Sequence, residues 1–353
     1  MGALSQLIEE YRKPLLGEGK FINSEATTVV LNGDTYLKSG VLVDENTYPL
    51  VIPKTSDGIT WTQRTIPVNA GWRAVTFGNG VFVAVAYNTT IAATSPDGIT
   101  WTQRTLPVNA GWQSITYGNG VFVAVTYVSN VAATSTNGIT WTQRALPVSS
   151  NWISICYGNG VFVAVAENTT IAATSTNGIT WTQRALPVNA GWYSVTYGNG
   201  VFVAVAYGGS IAATSTDCIT WTQRVLPVST GWYSVTYGNG VFVAVAYNTT
   251  IAATSPDGIT WTQRTLPVHM SWSSVTYGNG VFVAVAYNSA IATTSPNGVT
   301  WTQRALPVSA NWTSVAYGNG VFVAVVNGGS VAATSFAHVG SSTYTPGLYF
   351  RVA

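Results

Sequence analysis

The sequence contains very little charge. Asp, Glu, Lys and Arg make up 7% of it, against about a quarter in ordinary soluble domains, and the formal net charge is +2. No cluster of lysines and arginines offers an electrostatic footprint for nucleic acid. Disorder is excluded as well, because disordered chains have few aromatic residues and this chain has 12%. The surface must therefore consist of uncharged polar residues and glycine.

Long apolar runs, paired cysteines and histidine clusters are also missing. The longest apolar runs are like VFVAVAY (81–87), about a third of the ~20 residues that a membrane-spanning helix needs. Two early glutamates interrupt the place where a secretory signal would have its apolar core. Cys156 and Cys218 occupy different positions of different repeats, so we interpret them as isolated buried thiols. We expect no metal, no cofactor and no membrane insertion.

What the sequence has in abundance is repetition, with a period of 40 residues. All 14 tryptophans fall into two series with this spacing. The first series is Trp61, Trp101, Trp141, Trp181, Trp221, Trp261 and Trp301, and the second is Trp72, Trp112, Trp152, Trp192, Trp232, Trp272 and Trp312. A 40-residue period without a helical segment is typical of four-stranded propeller blades.

Each repeat predicts four strands, which we name A to D. In the first repeat they are A (72–80), B (81–87), C (91–95) and D (99–105). The Asp97-Gly98 pair predicts a tight turn between strands C and D, because glycine tolerates positive φ. We expect Pro107 to end strand D, since proline cannot donate to a β ladder.

The number of strands distinguishes a closed ring from an open solenoid. One strand D (59–65) precedes the first complete A-B-C set, and none follows the last set (312–335). The seven sets and seven D strands match only if the N-terminal strand D completes the last blade, whereas a solenoid would need capping units. The predicted fold class is all-β: a seven-bladed β-propeller of 40-residue four-stranded repeats, with the ring closed by the N-terminal strand D.

Two pieces lie outside the predicted ring (51–338). We predict that residues 1–50 form a small N-terminal α+β module and that residues 339–353 form a C-terminal β tail. The module begins with a short amphipathic helix, carrying Leu4, Leu7, Ile8 and Tyr11 and stopped by Pro14, and continues into a β segment with an Asn32-Gly33 turn. These pieces either cover the propeller or attach it to a larger assembly. The sequence also leaves open whether the protein forms a homo-oligomer.

The segment SPDGITW (95–101) resembles the Asp-box, or BNR, repeat of sialidase-type propellers, Ser-x-Asp-x-Gly-x-Thr-Trp. This sequence has one residue fewer between Asp and Gly. Three copies carry Asn137, Asn177 and Asn297, and another has Cys218 instead of the glycine. The wider unit is similar to repeats of bacterial surface proteins and of phage tail-fibre or receptor-binding proteins. The resemblance covers about 280 residues. It implies the fold more strongly than an activity, because Asp boxes are structural hairpins remote from sialidase active sites.

Sialidase chemistry, as the resemblance implies it, needs three clamping arginines, a Tyr/Glu nucleophile pair and an acidic Asp. Seven of the eight arginines in 51–338 are the same strand-D arginine, and only Arg73 is extra. The acids of the ring are four turn aspartates and Glu167, which do not form the carboxylate pair ~5–9.5 Å apart of ordinary glycosidases. His269 and His338 are too few for a metal cluster. We therefore predict that the protein is not an enzyme.

The copies differ unevenly between the two ends of their strands. GNGVFVAV, which contains the A–B turn, is identical in all seven units, whereas the B–C loops and D–A connections vary. After the second-series tryptophans come Arg73, Gln113, Ile153, Tyr193, Tyr233, Ser273 and Thr313. We predict that this variable end recognises a ligand, because loops on a rigid scaffold vary without cost to the core. Simple loop drift is the alternative.

The predicted ligand-binding residues all lie at this end. They are Trp72, Arg73, Trp112, Gln113, Trp152, Trp192, Tyr193, Trp232, Tyr233, Trp272, Trp312, Tyr87, Glu167 and His269. The second-series indoles would surround the axial opening and stack on sugar rings. Packing between blades is the alternative for these tryptophans.

The predicted function is a non-catalytic binding propeller. We expect a phage tail-fibre or receptor-binding structural protein of the virion that recognises a host cell-surface ligand, with a glycan favoured. Residues 1–50 would hold other virion or tail proteins. The first alternative is a bacterial lectin-like adhesin at the cell surface or secreted, and the second is a sialidase-like glycoside hydrolase.

Overall fold

A computed structural model describes residues 57–335 and the backbone of three strands outside this range. Among these residues, every regular element is a β-strand. In chain order the strands are β1 (Thr27–Leu31), β2 (Asp34–Ser39), β3 (Trp61–Thr65), β4 (Trp72–Gly78), β5 (Val81–Ser95), β6 (Thr102–Gly118), β7 (Val121–Tyr127), β8 (Ser129–Ser135), β9 (Thr142–Ser150), β10 (Trp152–Gly158), β11 (Val161–Ala166), β12 (Thr169–Ser175), β13 (Thr182–Gly198), β14 (Val201–Tyr207), β15 (Ile211–Ser215), β16 (Thr222–Val225), β17 (Gly231–Gly238), β18 (Val241–Tyr247), β19 (Thr249–Ser255), β20 (Thr262–Gly278), β21 (Val281–Tyr287), β22 (Ser289–Ser295), β23 (Thr302–Ala310), β24 (Trp312–Gly318), β25 (Val321–Val326), β26 (Val331–Ser335) and β27 (Leu348–Arg351). The described part contains no helix long and apolar enough to cross a membrane.

The chain divides into two compact units. One comprises Met1–Pro53 with Val339–Ala353, and the other comprises Lys54–His338. In the first unit, β1 pairs with β2 and β2 pairs with β27, both antiparallel. The two ends of the chain therefore share one sheet, which the sequence analysis did not predict because it treated them as separate pieces. The predicted N-terminal helix and the Asn32-Gly33 turn lie outside the described residues.

In the second unit, each repeat forms antiparallel strands in the order A-B-C-D. We number the repeats one to seven by the second-series tryptophan that begins each strand A. In β6, β13 and β20, strand D continues into the next strand A over 17 residues. Pro107 therefore does not end strand D, contrary to our expectation. It lies between Thr105 and Ala110, where the pairing with β5 is interrupted, so its missing N–H is not needed there.

The last repeat packs against the first as consecutive repeats pack against each other. Strand β3, at the start of the repeat array, pairs antiparallel with β26 at its end. The Val75 N–H donates to the Ser314 hydroxyl at 3.2 Å, which is the contact that Ile155 makes to Ser114 between two consecutive repeats.

The core consists of similar apolar clusters, each shared by two neighbouring repeats. In the cluster around Trp152, Val123 and Val125 come from the second repeat and Phe162 from the third. Strand B is buried on both faces, as its apolar run predicts. The Trp152 indole donates its Nε1–H to the Val148 carbonyl at 3.2 Å. Burying a ring of this size stabilises the fold by about 3 kcal/mol.

The first glycine of the Gly-Asn-Gly turn is the same in every repeat because a ring from the next repeat lies directly on it. A Cβ on Gly118 would lie 2.0 Å from Cγ of Tyr157. The same approach joins Gly318 to Phe77, from the last repeat to the first. Only glycine leaves room for this packing.

The C–D turn is held by one side-chain oxygen. Asp97 Oδ1 accepts the N–H groups of Ile99 and Thr100 at 2.8 and 3.0 Å, and the Ser95 hydroxyl donates to it at 3.0 Å. In another repeat, Asn137 Oδ1 accepts the equivalent bonds. Asp and Asn therefore exchange freely at this position.

The C–D turn that contains Cys218 differs from the others. Cys218 replaces a glycine and keeps its positive φ, 62°. The adjacent Trp221 Nε1 lacks the carbonyl partner that Trp261 finds in Gly258 at 3.0 Å. Both cysteines are free thiols in one apolar cluster between the third and fourth repeats, so they are less isolated from each other than their sequence positions indicate. Burial raises the pKa of the Cys218 thiol to about 12.

Candidate functional site

Every strand A contains a β-bulge immediately after its tryptophan. In β4, Trp72 lies opposite Ala86 and Ala74 lies opposite Val85, so Arg73 is the extra residue. The same shift recurs in the six other repeats. A bulge bends its strand and re-aims the extra side chain. The bulged residues are Arg73, Gln113, Ile153, Tyr193, Tyr233, Ser273 and Thr313, a position at which the repeats differ.

The ends of the B strands lie beside these bulges. Antiparallel pairing of strands A and B places the residue after Ala86, Tyr87, at the same end of the sheet as Arg73. The corresponding residues are Tyr87, Tyr127, Glu167, Tyr207, Tyr247, Tyr287 and Asn327. Two positions at which the seven copies differ, the bulged residue of strand A and the residue at the end of strand B, therefore lie at the same end of each repeat.

Four tyrosines of the fourth and fifth repeats form a continuous aromatic surface. The Tyr193 ring lies 4.8 Å from Tyr233 and 5.1 Å from Tyr207, measured between centroids. Tyr233 stacks on Tyr247 at 5.2 Å with an interplanar angle of 27°. These separations are those of favourable aromatic pairs. Tyr207 is 44% exposed, so the surface is open to a ligand.

Two charged residues belong to the same end. The Arg73 guanidinium carbon lies 4.9 Å from the centroid of the Tyr87 ring. The Tyr127 hydroxyl donates to Glu167 Oε2 at 3.1 Å and lies 3.4 Å from the Asn151 amide nitrogen. The name tyrosine cluster is used below for Arg73, Tyr87, Tyr127, Glu167, Tyr193, Tyr207, Tyr233 and Tyr247.

Electrostatic effects link members of the tyrosine cluster from distant repeats. Burial raises the pKa of Tyr233 to about 12, although the positive charge of Arg73, four repeats away in sequence, opposes the increase. Burial also raises the pKa of Tyr193, with further contributions from Tyr233 and Glu167. These phenols are therefore neutral hydrogen-bonding groups at physiological pH.

Five of the predicted site residues make side-chain contacts at this end. Arg73 lies over Tyr87, Glu167 accepts a hydrogen bond from Tyr127, and Tyr193 packs against Tyr233.

Two predicted residues do not join them. Gln113 and His269 take no part in the described contacts of the tyrosine cluster; His269 is exposed on β20. Tyr127, Tyr207 and Tyr247 were missed. Their shared repeat position with Tyr87 and Glu167 is the signal that would have found them.

The second-series tryptophans are the main correction to the predicted site. All seven, Trp72, Trp112, Trp152, Trp192, Trp232, Trp272 and Trp312, are 0% exposed. Their indoles fill the clusters between repeats, so they cannot stack on a sugar. The bulged residue that follows the tryptophan is less uniformly buried: Arg73, Tyr193 and Tyr233 are half-buried, whereas Ile153 and Ser273 are buried. Packing, the alternative considered for this series, explains it. Within the described residues, no group of three or more His, Cys, Asp or Glu could hold a metal ion.

No protein-family model matches the chain, and no curated protein matches its sequence. Solved structures match its fold. Virginiamycin B lyase from Staphylococcus aureus superimposes with a TM-score of 0.72 at 13% identity, covering 78% of this chain and 99% of that one. A catalytically inactive histidine-to-alanine form of that lyase with quinupristin gives 0.71, also at 13% identity, with coverage of 78% and 99%. YCF48 bound to D1 peptide gives 0.65 at 15% identity, with coverage of 82% and 99%. These likenesses show a β-propeller fold.

The comparisons correct the prediction that the protein is not an enzyme. Two of the three structures above are of a lyase, which is an enzyme propeller. The missing arginine triad and carboxylate pair exclude only reactions that need these groups, such as those of sialidases and ordinary glycosidases. One of these similar propellers is thus an enzyme, and another is bound to a peptide.

Proposed function

We propose that the protein is a receptor-binding propeller of a phage tail fibre, located in the virion, which recognises a host-surface glycan through the tyrosine cluster. The proposal includes a ring of seven blades and C–D turns of the Asp-box type. Residues 1–50 would attach the ring to other tail proteins. A bacterial surface adhesin with the same binding end is the alternative setting.

Contacts between the first and last repeats support a closed ring. The pairing of β3 with β26 completes the last A-B-C set with an N-terminal strand D. The Gly318–Phe77 approach and the bond from Val75 to Ser314 repeat the contacts between consecutive units. A closed ring brings the seven bulges around one axis, which accounts for the effect of Arg73 on Tyr233.

The observation that carries the proposed function is the convergence of non-identical positions on one aromatic surface. Tyr193 and Tyr233 occupy a position where other repeats have Ser273 and Thr313. Ser273 and Thr313 each donate to a backbone carbonyl of the next repeat, whereas Tyr193 and Tyr233 contact other tyrosine rings. Tyrosine combines a flat apolar face with a polar hydroxyl, which suits the stacking and hydrogen bonding of a sugar ring.

Binding of the full-length protein to a glycan array and to host cells tests this function. Tyr193→Ser and Tyr233→Ser introduce the residue that the sixth repeat already has at this position, Ser273, so we expect folded proteins with at least tenfold weaker binding. Ile179→Ala, at an exposed C–D turn, is the matched control and should bind as the native protein does. Loss of binding in the Ile179 variant alone would place the site at the other end.

A catalytic role of the same cluster is the second candidate. The observation that favours it is the Tyr127–Glu167 hydrogen bond of 3.1 Å, which holds a proton donor beside a carboxylate. In an elimination or hydrolysis, a carboxylate can accept a proton and a phenol can return one. Mass spectrometry of bound glycans after incubation would reveal turnover. Glu167→Gln should abolish that turnover and leave binding in place if the residue acts as a base.

A further inference from the structure

We propose that Arg73 anchors the negatively charged group of the ligand, so that the saccharide bound by the tyrosine cluster is an acidic one carrying a carboxylate or sulfate. The inference rests on the proposed binding function and names the ligand class of that site.

Arg73 differs from every other arginine in residues 57–335. The seven others belong to strand D, where each Nε–H donates to a threonine of strand C, as Arg104 does to Thr94 Oγ1 at 2.9 Å. Those arginines hold two strands together. Arg73 lies on strand A, at a bulge, and no other bulge carries a cation.

The Arg73 Nε is buried without a hydrogen-bond partner among the described residues. Polar groups at other bulges do find partners. The Ser273 hydroxyl donates to the Trp312 carbonyl at 2.6 Å, and the Thr313 hydroxyl donates to the Trp72 carbonyl at 2.9 Å. A buried donor of a charged group is costly to leave unpaired. A ligand acceptor would remove that cost.

The acids of residues 57–335 do not neutralise this guanidinium. Four of the five are C–D turn aspartates, at the opposite end of the strands; Asp97, Asp217 and Asp257 accept backbone N–H groups there, as does Asp57. The fifth, Glu167, accepts the Tyr127 hydrogen bond. The structure gives Arg73 the face of Tyr87 and no ion pair with any of the five.

The surroundings of Arg73 select the ligand. A guanidinium matches the geometry of a carboxylate or sulfate with two parallel hydrogen bonds, and stacking on Tyr87 fixes its plane. The Tyr193–Tyr233–Tyr247 surface supplies flat faces for a sugar ring. A ring with an attached acidic group would engage both features at once.

The test uses the full-length protein and calorimetric titration with four probes: a uronic-acid oligosaccharide, its carboxyl-reduced neutral form, a sulfated oligosaccharide without carboxylates, and an acidic peptide. Arg73→Gln introduces the residue that Gln113 already provides at the second bulge, so we expect it to fold. Arg104→Gln is the charge-matched control on strand D. Thermal melting of each variant checks its fold.

We expect the native protein to bind a carboxylated or sulfated saccharide at least tenfold more tightly than the neutral form. Arg73→Gln should lose this preference and Arg104→Gln should keep it. Comparison of the carboxylated and sulfated probes identifies the acidic group. Equal binding of acidic and neutral saccharides, binding of none of them, or binding of the peptide alone would overturn the proposal. If Tyr193→Ser weakens neutral binding while Arg73→Gln has no effect, the binding function stands and the acidic-ligand inference fails.

Discussion

The two ends of each repeat use the same strands for different purposes. At the end with the A–B and C–D turns, the chain repeats almost unchanged, because a glycine there lies under a ring of the next repeat and a side-chain oxygen ties each turn. At the other end, the bulged residue varies from arginine to tyrosine to isoleucine. Repetition thus marks where every repeat fits the next in the same way. At the variable bulge the contacts differ: Ser273 and Thr313 bond to the next repeat, whereas Tyr193 and Tyr233 pack against other tyrosines.

The largest effect is expected from a substitution at the invariant end, in an A–B turn. Gly118→Ala would place a Cβ 2.0 Å from Tyr157 Cγ, so we expect a loss of about 3 kcal/mol in unfolding free energy or more. Gly120→Ala, two residues away, is the matched control. Its φ is +77° but nothing lies within 4 Å, so only backbone strain of about 1–2 kcal/mol should appear. Denaturant unfolding of both variants measures the difference. Equal losses would show that the covering ring can move aside.

The second-largest effect is expected at the C–D turn in which Cys218 replaces the glycine. Restoring the glycine tests how closely the invariant end depends on it. Cys218→Gly removes a side chain from a residue at φ 62° and returns the local geometry in which the Trp221 indole finds a carbonyl partner. We expect a stabilisation of about 1 kcal/mol, because the relief of left-handed strain exceeds the loss of a small buried thiol. Cys156→Thr, which restores the residue common at that position, is the control for removal of a thiol. A destabilised glycine variant would show that the cysteine packs better than the consensus residue.

The third effect concerns the variable end at alkaline pH. The pKa of Tyr233 is raised to about 12 by burial, from an ordinary value of 10.0. Its neutral form is therefore favoured in the folded state, and the associated stability is complete below pH 10 and is lost as the pH rises toward 12. Tyr233→Phe should flatten this part of the stability profile. Thermal melts from pH 9 to 12 measure it, with Tyr157→Phe, which introduces the residue that Phe77 provides at that position of the first repeat, as a control. An unchanged slope would contradict the burial of this phenol.

Much of the fold was predictable, because period and strand count are direct consequences of the residues. The tryptophan spacing gave the repeat, and the strand D before the first A-B-C set pointed to the β3–β26 pairing. Pro107 was misread, because an interruption of pairing is invisible in a single sequence. Trp72 is fully buried and its neighbour Arg73 is half-buried beside Tyr87, at a bulge that the regular alternation of an ideal strand does not predict. The Tyr193–Tyr233 and Tyr127–Glu167 contacts of the tyrosine cluster join neighbouring repeats, and the sequence alone does not show which side chains of two repeats touch.

The smallest effect is expected from a substitution of Asp217, in a C–D turn at the invariant end. Asp217 has its pKa lowered to about 2 by hydrogen bonds from the Thr220 and Ile219 N–H groups and from the Ser215 hydroxyl. A lowered pKa in the folded state gives stability that is present above pH 3.8 and is lost as the pH falls toward 2. Asp217→Asn keeps an Oδ1 for the same bonds, as Asn177 does in another repeat. We therefore expect little change at neutral pH and a flatter stability profile between pH 4 and 2. Asp97→Asn provides the same comparison at a turn that has its glycine. If either asparagine variant were clearly less stable at pH 7, the charge of the carboxylate would contribute to the turn, and the three natural asparagine copies would be weaker turns rather than equivalent ones.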